Sequence, residues 1–373
     1  VKGTTVNDPI RLGIIGVAGR GKSFRRSLEH LPQYELAALC DVNAQGLAQA
    51  AQEMGVSATF DHHERMLDEA KLDAVIIGTP MPLHVPQSIA ALERNVSVLS
   101  EVPAAVSVDE CRALVQAAKH SRGTYMMAEN YTYARPQQTV LEMVRRGLFG
   151  TLYYAEGEYL HELKELNEIT VWRRRWQTGI DGITYGTHSL GPILQWFEGQ
   201  RVTSVCCVGS GHHYRDARGD RYEASDTSVM LGRLSGGGVV KIRVDMLSDR
   251  PHAMQNYQLQ GTDGCYESSR AAGEPARVWL RALDDKPKWR ELSSVWDDYL
   301  PEGWRRYSQE AGKAGHGGGD FLEMVDFAEA VRGSRPAPIG IHHALDMTLP
   351  GLISQQSIAQ QGRWLDVPDS RDW

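Results

Sequence analysis

Five short apolar runs punctuate the start of this 373-residue chain: "IRLGIIG" (10–16), "YELAALCD" (34–41), "LDAVIIGTP" (72–80), "NVSVLSE" (95–101) and "TYMMAE" (124–129). Each is too short for a buried helix and is bounded by glycine, proline or an acid, so each reads as a strand covered on both faces. Between them, helical spacing runs over 22–31, 44–54, 84–93 and 108–120. Repeated strand–helix units of this kind close into a doubly wound parallel α/β sheet, a Rossmann domain, expected over residues 1–129.

Past residue 130 the pattern changes. "TLYYAEGEYLHE" (151–162) alternates as a strand with one covered face does, and "VTSVCCVG", "DTSVMLGRL", "GVVKIRVDML" and "NYQLQGT" follow with turns such as Gly236-Gly237-Gly238. This predicts a second, α+β domain over 130–373 with an open, largely antiparallel sheet. Helical stretches at 321–331 and 344–361 end the chain and have the length to pack back on the first domain.

The loop after the first strand reads "GVAGRGKS" (16–23) and supports two chemistries. As G-x-x-x-x-G-K-S it is a nucleoside triphosphate loop; as G-x-G-x-x-G with Ala18 at the second glycine it is a dinucleotide fingerprint. Context separates them. Asp41 ends the second strand 20 residues after Gly21, where a dinucleotide fold binds ribose hydroxyls. The third strand ends in Thr79-Pro80, with no acid at its tip to hold magnesium. Gly16, Ala18, Gly19, Arg20, Gly21 and Asp41 are therefore candidate cofactor residues, and Lys22 and Ser23 belong to the first helical turn. A carboxylate at 41 repels a 2′-phosphate, which selects NAD over NADP.

Net charge is −7 and no basic run exceeds Arg173-Arg174-Arg175, which excludes a nucleic-acid partner and leaves that triplet as a solvated or substrate-facing patch. No apolar stretch has the length of a membrane span. The five cysteines are odd in number and lack a C-x-x-C pair, as expected of reduced thiols in the cytoplasm. The start at Val1 is compatible with a removed leader.

Taken together, the glycine loop, Asp41, "TPMPLH" (Thr79, Pro80, His84) and "EVP" (Glu101, Val102, Pro103) resemble the glucose–fructose oxidoreductase and inositol dehydrogenase (Gfo/Idh/MocA) family. The resemblance implies a nicotinamide cofactor, contacted also by Thr79, Pro80, His84, Glu101 and Pro103, and oxidation of a sugar or polyol. Dehydrogenases of that family carry Glu-Lys-Pro, whose lysine helps move the hydroxyl proton. Val102 stands in its place and cannot do acid–base chemistry.

"MAENYTY" (127–133), "AEGEYLHE" (155–162), "TYGTHSLGP" (184–192) and "GHGGGDF" (315–321) are similar to one branch, glycoside hydrolase family 109, the NAD-dependent α-N-acetylgalactosaminidases, which share Glu-Val-Pro. That resemblance places functional positions on Glu129, Tyr159, Tyr185 and His188, with a weaker match at Tyr266; Gly186 stands where the family often has proline. It implies a glycosidase working by transient oxidation at C3, elimination, water addition and re-reduction. His188 is the candidate general base, since histidine titrates near neutrality. Tyr185 lies three residues before it, on the same side of a helical turn. Tyr159 and His161 share a strand face, and Glu129 ends the fifth strand, where ligands of open α/β sheets collect. His161, Asn130, Tyr266 and His316 are the candidate substrate contacts. His316 with Asp320 supplies too few ligands for a closed metal site, so no metal is expected. The alternatives are a plain sugar or polyol dehydrogenase and a non-catalytic NAD-binding protein. By family analogy the assembly is a homodimer or homotetramer acting on a small carbohydrate.

Overall fold

All five runs are strands of one parallel sheet in the computed structural model, which describes residues 8–251 and 254–373. The strands are β1 (Ile10–Ile15), β2 (Tyr34–Cys40), β3 (Thr59–Phe60), β4 (Ala74–Ile77), β5 (Ser97–Ser100) and β6 (Tyr125–Met127), in the order β3-β2-β1-β4-β5-β6. Only β3, two residues long, is too short to register as an apolar run. Every residue of β4 and β5 is buried, as a sheet covered on both faces requires. The order reverses between β1 and β4, and beyond the carboxyl ends of such strands α/β sheets hold their ligands.

Three helices fall where the spacing puts them: Ala44–Met54, His84–Glu93 and Val108–His120. The first and the third have caps written in the sequence. Asn43 accepts the Gly46 amide at 3.0 Å, and Gly55 ends that helix in the left-handed region at φ 68°. Ser107 accepts the Glu110 amide at 3.2 Å, while Glu110 reaches back to the Val106 amide at 2.9 Å. The helix expected over 22–31 differs. A 3-10 turn, Arg20–Phe24, passes into a single α-helical turn, Arg25–Leu28. The Ser23 hydroxyl bonds the Arg20 carbonyl at 2.7 Å, a local bond that competes with regular helix geometry.

The chain packs as two units. The first combines the parallel sheet with Arg306–Leu345 and Ser370–Trp373, segments that follow residue 130 in sequence. Its helix Gly319–Val331 is tied to β2, since the Met324 carbonyl accepts the Tyr34 hydroxyl at 2.7 Å. The second unit is Ala134–Arg305 with Asp346–Asp369, and the helix Ile341–Ala359 contributes residues to both. No helix among the described residues is long and apolar enough to cross a membrane.

The second unit is built on nine strands: β7 (Leu152–Leu160), β8 (Val202–Gly209), β9 (Thr227–Leu234), β10 (Val239–Asp245), β11 (Gln255–Gly261), β12 (Gly264–Glu267), β13 (Arg277–Leu280), β14 (Arg290–Glu291) and β15 (Leu365–Asp366). Neighbours run antiparallel except β7 and β10, which are parallel. The helix Thr187–Trp196 lies on β7 with almost no gap. A Cβ at Gly157 would stand 2.5 Å from the Ser189 carbonyl oxygen, so only glycine permits this approach.

Candidate active site

The glycine loop leaves β1 at Gly16, whose φ of +85° favours glycine. A Cβ there would also meet the Gly78 carbonyl carbon at 2.7 Å, so the ends of β1 and β4 touch backbone to backbone. Ala18 fits because residue 46 is glycine: a Cβ at 46 would lie 2.5 Å from the alanine methyl. Gly19 is different. The nearest atom to a Cβ there would be the Gly16 oxygen at 3.9 Å, so protein packing does not demand the glycine and the open face suits an approaching ligand. Asp41 accepts the Ala18 amide at 2.8 Å on one oxygen and the Asn43 amide at 2.9 Å on the other. A carboxylate offers about four acceptor positions, which leaves capacity for two ribose hydroxyls. These residues fit NAD. The Lys22 ammonium pairs with Glu53 at 2.8 Å.

Other residues expected at the cofactor hold the turns in place. His84 is 1% exposed; its Nδ1 lies 2.8 Å from the Pro103 carbonyl and its Nε2 2.9 Å from the Thr79 carbonyl. A neutral imidazole can donate to only one of these carbonyls, and burial pushes its pKa down. His84 stands between the Thr79-Pro80 turn and the Glu101-Val102-Pro103 turn. The Thr79 hydroxyl donates to Gln87 at 2.6 Å.

Arg20 is likewise committed elsewhere. Its Nε donates to Glu101 at 2.6 Å, and its terminal nitrogens donate to the two Asp320 oxygens at 2.8 and 3.1 Å. Burial opposes its charge, but Glu101 and Asp320 more than offset that and keep it ionised. Its guanidinium is a clamp, leaving only its backbone for a pyrophosphate. Asn130, expected at the substrate, is 2% exposed and donates to Asp320 at 3.0 Å. Glu129, expected to be catalytic, is fully buried in the same unit, with the Tyr131 amide 3.4 Å from its Oε1. Beside this group sits Glu323, fully buried, with neither carboxyl oxygen hydrogen-bonded among the described residues. Burial, then the charges of Asp320 and Glu101, push its pKa well above the ordinary value. Asp320 and Glu323 were absent from the candidates. The acid four residues after His316 was the visible signal for Asp320, and nothing local marks Glu323.

The second unit gathers the remaining candidates. The His188 ring centroid lies 5.0 Å from that of Tyr159 and 5.0 Å from that of Tyr185, and those of Tyr159 and Tyr185 are 5.6 Å apart. The Tyr159 hydroxyl and His161 Nδ1 are hydrogen-bonded at 2.8 Å. The two-residue strand period explains why: Gly157 faces the Thr187–Trp196 helix, so Tyr159 faces it too, beside His188. Pro192 lies four residues after His188 and has no N–H, so the His188 carbonyl loses its helical partner. The Tyr257 hydroxyl donates to that carbonyl at 2.5 Å. Tyr257 went unrecognised in the sequence, although Pro192 in "THSLGP" announces a carbonyl in need of a donor. Tyr266 is not part of this cluster. It is 1% exposed, edge-on to Trp196 at 5.7 Å, and serves the core because its strand position faces the packed helix.

Comparison with known proteins gives two matched families. Residues 133–372 match the family described as Glycosyl hydrolase 109, C-terminal domain, and residues 10–129 match Oxidoreductase family, NAD-binding Rossmann fold. A glycosyl hydrolase family 109 protein of Saccharopolyspora erythraea is 30% identical, covering 97% of this chain and 83% of its own length. An alpha-N-acetylgalactosaminidase of Shewanella oneidensis is also 30% identical, over 96% of this chain and 84% of its own. Among solved structures, the WlbA dehydrogenase of Bordetella pertussis in complex with NADH and UDP-GlcNAcA is 21% identical with a TM-score of 0.76, covering 98% of this chain and 99% of its own. A levoglucosan dehydrogenase in complex with NADH and L-sorbose is 19% identical with a TM-score of 0.78, over 97% and 100%. At these identities the two structures speak to the fold.

Proposed function

The chain belongs to the glycosyl hydrolase 109 family, and on that premise we propose that it cleaves an α-linked N-acetylgalactosaminide by a redox-assisted route with no net oxidation. The observation that carries the reading is the cluster of Tyr159, Tyr185 and His188, with His161 on the Tyr159 hydroxyl. NAD, when bound, would supply a reversible hydride acceptor, so that a ketone can form at C3, two carbons from the anomeric carbon, and acidify the hydrogen on C2 between them. His188 takes that proton. The Tyr159 phenol, paired with His161, gives a proton to the departing glycosidic oxygen. Tyr185 fixes the two rings, and the Tyr257 bond to the His188 carbonyl fixes the turn that carries them.

The relative from Shewanella oneidensis supports N-acetylgalactosamine as the sugar. We include a homodimer or homotetramer, supported by exposed apolar side chains on the sheet of the second unit, Val208, Leu231 and Val239. A cytoplasmic location agrees with five free cysteines.

The test is to mix the purified protein, without added cofactor, with p-nitrophenyl N-acetyl-α-galactosaminide and separately with free N-acetylgalactosamine. Release of p-nitrophenol with no accumulation of NADH is expected. Stoichiometric NADH from the free sugar with no aglycone release would make the protein a sugar dehydrogenase instead.

A further inference from the structure

The Tyr257 hydroxyl has one hydrogen and stands between two side-by-side claims on it. Its oxygen lies 2.5 Å from the His188 carbonyl and 3.1 Å from the Gln255 side-chain amide, at the atom placed as Oε1. A backbone carbonyl has nothing to donate, so the hydrogen of the shorter contact is the phenol's and points at His188. Toward Gln255 the phenol oxygen has only lone pairs left. A carbonyl there would face them lone pair to lone pair, whereas an amide NH2 in the same place makes a hydrogen bond. The two ends of an amide have the same shape, so the neighbours decide which end points where. The NH2 end of Gln255 therefore belongs at Tyr257, and its carbonyl oxygen is turned the other way.

That oxygen is beside the ring cluster. Gln255 pairs with Tyr159 across β11 and β7, and Tyr257 pairs with Gly157 two residues along on the same face. Directly opposed residues of antiparallel strands hold their Cβ atoms about 4.5–5.5 Å apart, so Gln255 and Tyr159 stand next to each other. The Thr187–Trp196 helix lies against Gly157, and Tyr257 there is 1% exposed. Gln255 is only half-buried. The end of its amide turned away from Tyr257 is neither fully buried nor hydrogen-bonded among the described residues. Both strands and the helix belong to the second unit.

We propose that Gln255 selects the sugar of this site: its outward carbonyl accepts the N–H of a 2-acetamido group. The inference rests on the reading above and deepens it, from the class of reaction to the group required at C2. In that reading the Tyr159 phenol serves the oxygen on C1, and His188 serves the hydrogen on C2. Gln255 is the cross-strand neighbour of Tyr159 and is joined to His188 through Tyr257, which makes C2 the carbon whose substituent it meets. An amide carbonyl accepts and cannot donate, so it favours a donor at that carbon. An acetamido group carries one. An acetoxy group of the same shape carries none, and its ester oxygen would meet the Gln255 carbonyl lone pair to lone pair. Accepting the Gln255 hydrogen also polarises the phenol and strengthens the bond it donates to His188.

The experiment loads the protein with NADH, which cannot take up hydride, and measures binding of methyl N-acetyl-α-galactosaminide and methyl 2-O-acetyl-α-galactoside. The two ligands differ only in N–H against O. The wild type should bind the amide about tenfold more tightly, as one neutral hydrogen bond allows, and Gln255→Leu should bind both at the level of the ester. Gln255→Glu keeps an outward acceptor and should keep the preference. Its inner oxygen draws the Tyr257 hydrogen away from His188, so release of p-nitrophenol from p-nitrophenyl N-acetyl-α-galactosaminide should fall about tenfold. A neutron structure of the wild type should show two deuterons on the Gln255 atom nearest Tyr257 and none on the outward atom. Equal wild-type affinity for the two ligands, an undiminished preference in Q255L, a lost preference or full release in Q255E, or deuterons on the outward atom overturns the proposal. If Q255L does not fold, Q255E and the neutron structure decide. A wild type that prefers the amide but releases no p-nitrophenol defeats the glycosidase reading and leaves the role of Gln255 standing.

Discussion

Single residues separate the two chemistries that the loop at 16–23 could have served. Lys22 pairs with Glu53 at the surface, whereas Asp41 accepts amides from Ala18 and Asn43 and keeps acceptor capacity for a ribose. Lys22→Ala should therefore leave NAD affinity within about twofold, because an exposed ion pair contributes about 0–1 kcal/mol and here none of it reaches the ligand. Asp41→Ala removes charged acceptors worth about 1.5–3 kcal/mol, a loss of roughly ten- to a hundredfold in affinity. It should also narrow the preference over NADP, since the repelling carboxylate is gone. Fluorescence titration of both cofactors against both variants checks this; loss of binding in K22A with none in D41A would restore the triphosphate-loop alternative. Residue types alone announced Gly16, Gly21 and Asp41. They did not announce the internal contacts of Arg20, His84 and Asn130, because the partners of those side chains lie elsewhere in the chain.

At the scale of elements, what places the His188 imidazole is a short set of departures from regular structure. Gly157 lets the Thr187–Trp196 helix settle on β7, and Pro192 frees the His188 carbonyl for Tyr257. Tyr257 is 1% exposed, so Tyr257→Phe leaves a buried carbonyl without its donor at a cost of about 1–3 kcal/mol. Turnover should fall severalfold or more while NAD affinity holds, since the bond fixes the turn bearing His188 and no part of the cofactor loop. Thermal unfolding with a parallel aglycone assay measures both; full stability and full activity in Y257F would remove Tyr257 from the site. Most elements were legible because strand and helix periods are local. The helices at 44–54, 84–93 and 108–120 appear at those residues. The first helix was not legible, because the Ser23–Arg20 bond that tightens it is a side-chain effect that apolar spacing does not report.

Across the molecule, the least legible features are those made by chain segments remote in sequence. Arg20 and Asp320 are 300 residues apart, so no motif links them, and the return of Arg306–Leu345 to the first unit is invisible to a strand count. That return brings Asp320 and Glu323 to the guanidinium that Glu101 also faces. The opposite shifts of Asp320 and Glu323 give stability a dome in pH. Asp320, held low, favours the folded state above the usual carboxyl range and loses that contribution on acidification. Glu323 runs the other way. Its folded pKa is raised, so the folded state binds its proton more tightly than the unfolded chain does, and stability falls as pH rises above the unfolded value. The fall is about 1.4 kcal/mol for each pH unit between the two values. Asp326 adds to it, since burial raises its pKa to about 6 despite Arg335, so its share ends there. Glu323→Gln keeps the shape and removes the ionisation. The variant should be close to the wild type near pH 4.5 and more stable than it near pH 8. Its decline should stop near pH 6, where Asp326 has finished titrating, while that of the wild type continues. Denaturant unfolding at a series of pH values gives both curves; parallel curves throughout would mean that Glu323 carries no proton that folding has to hold.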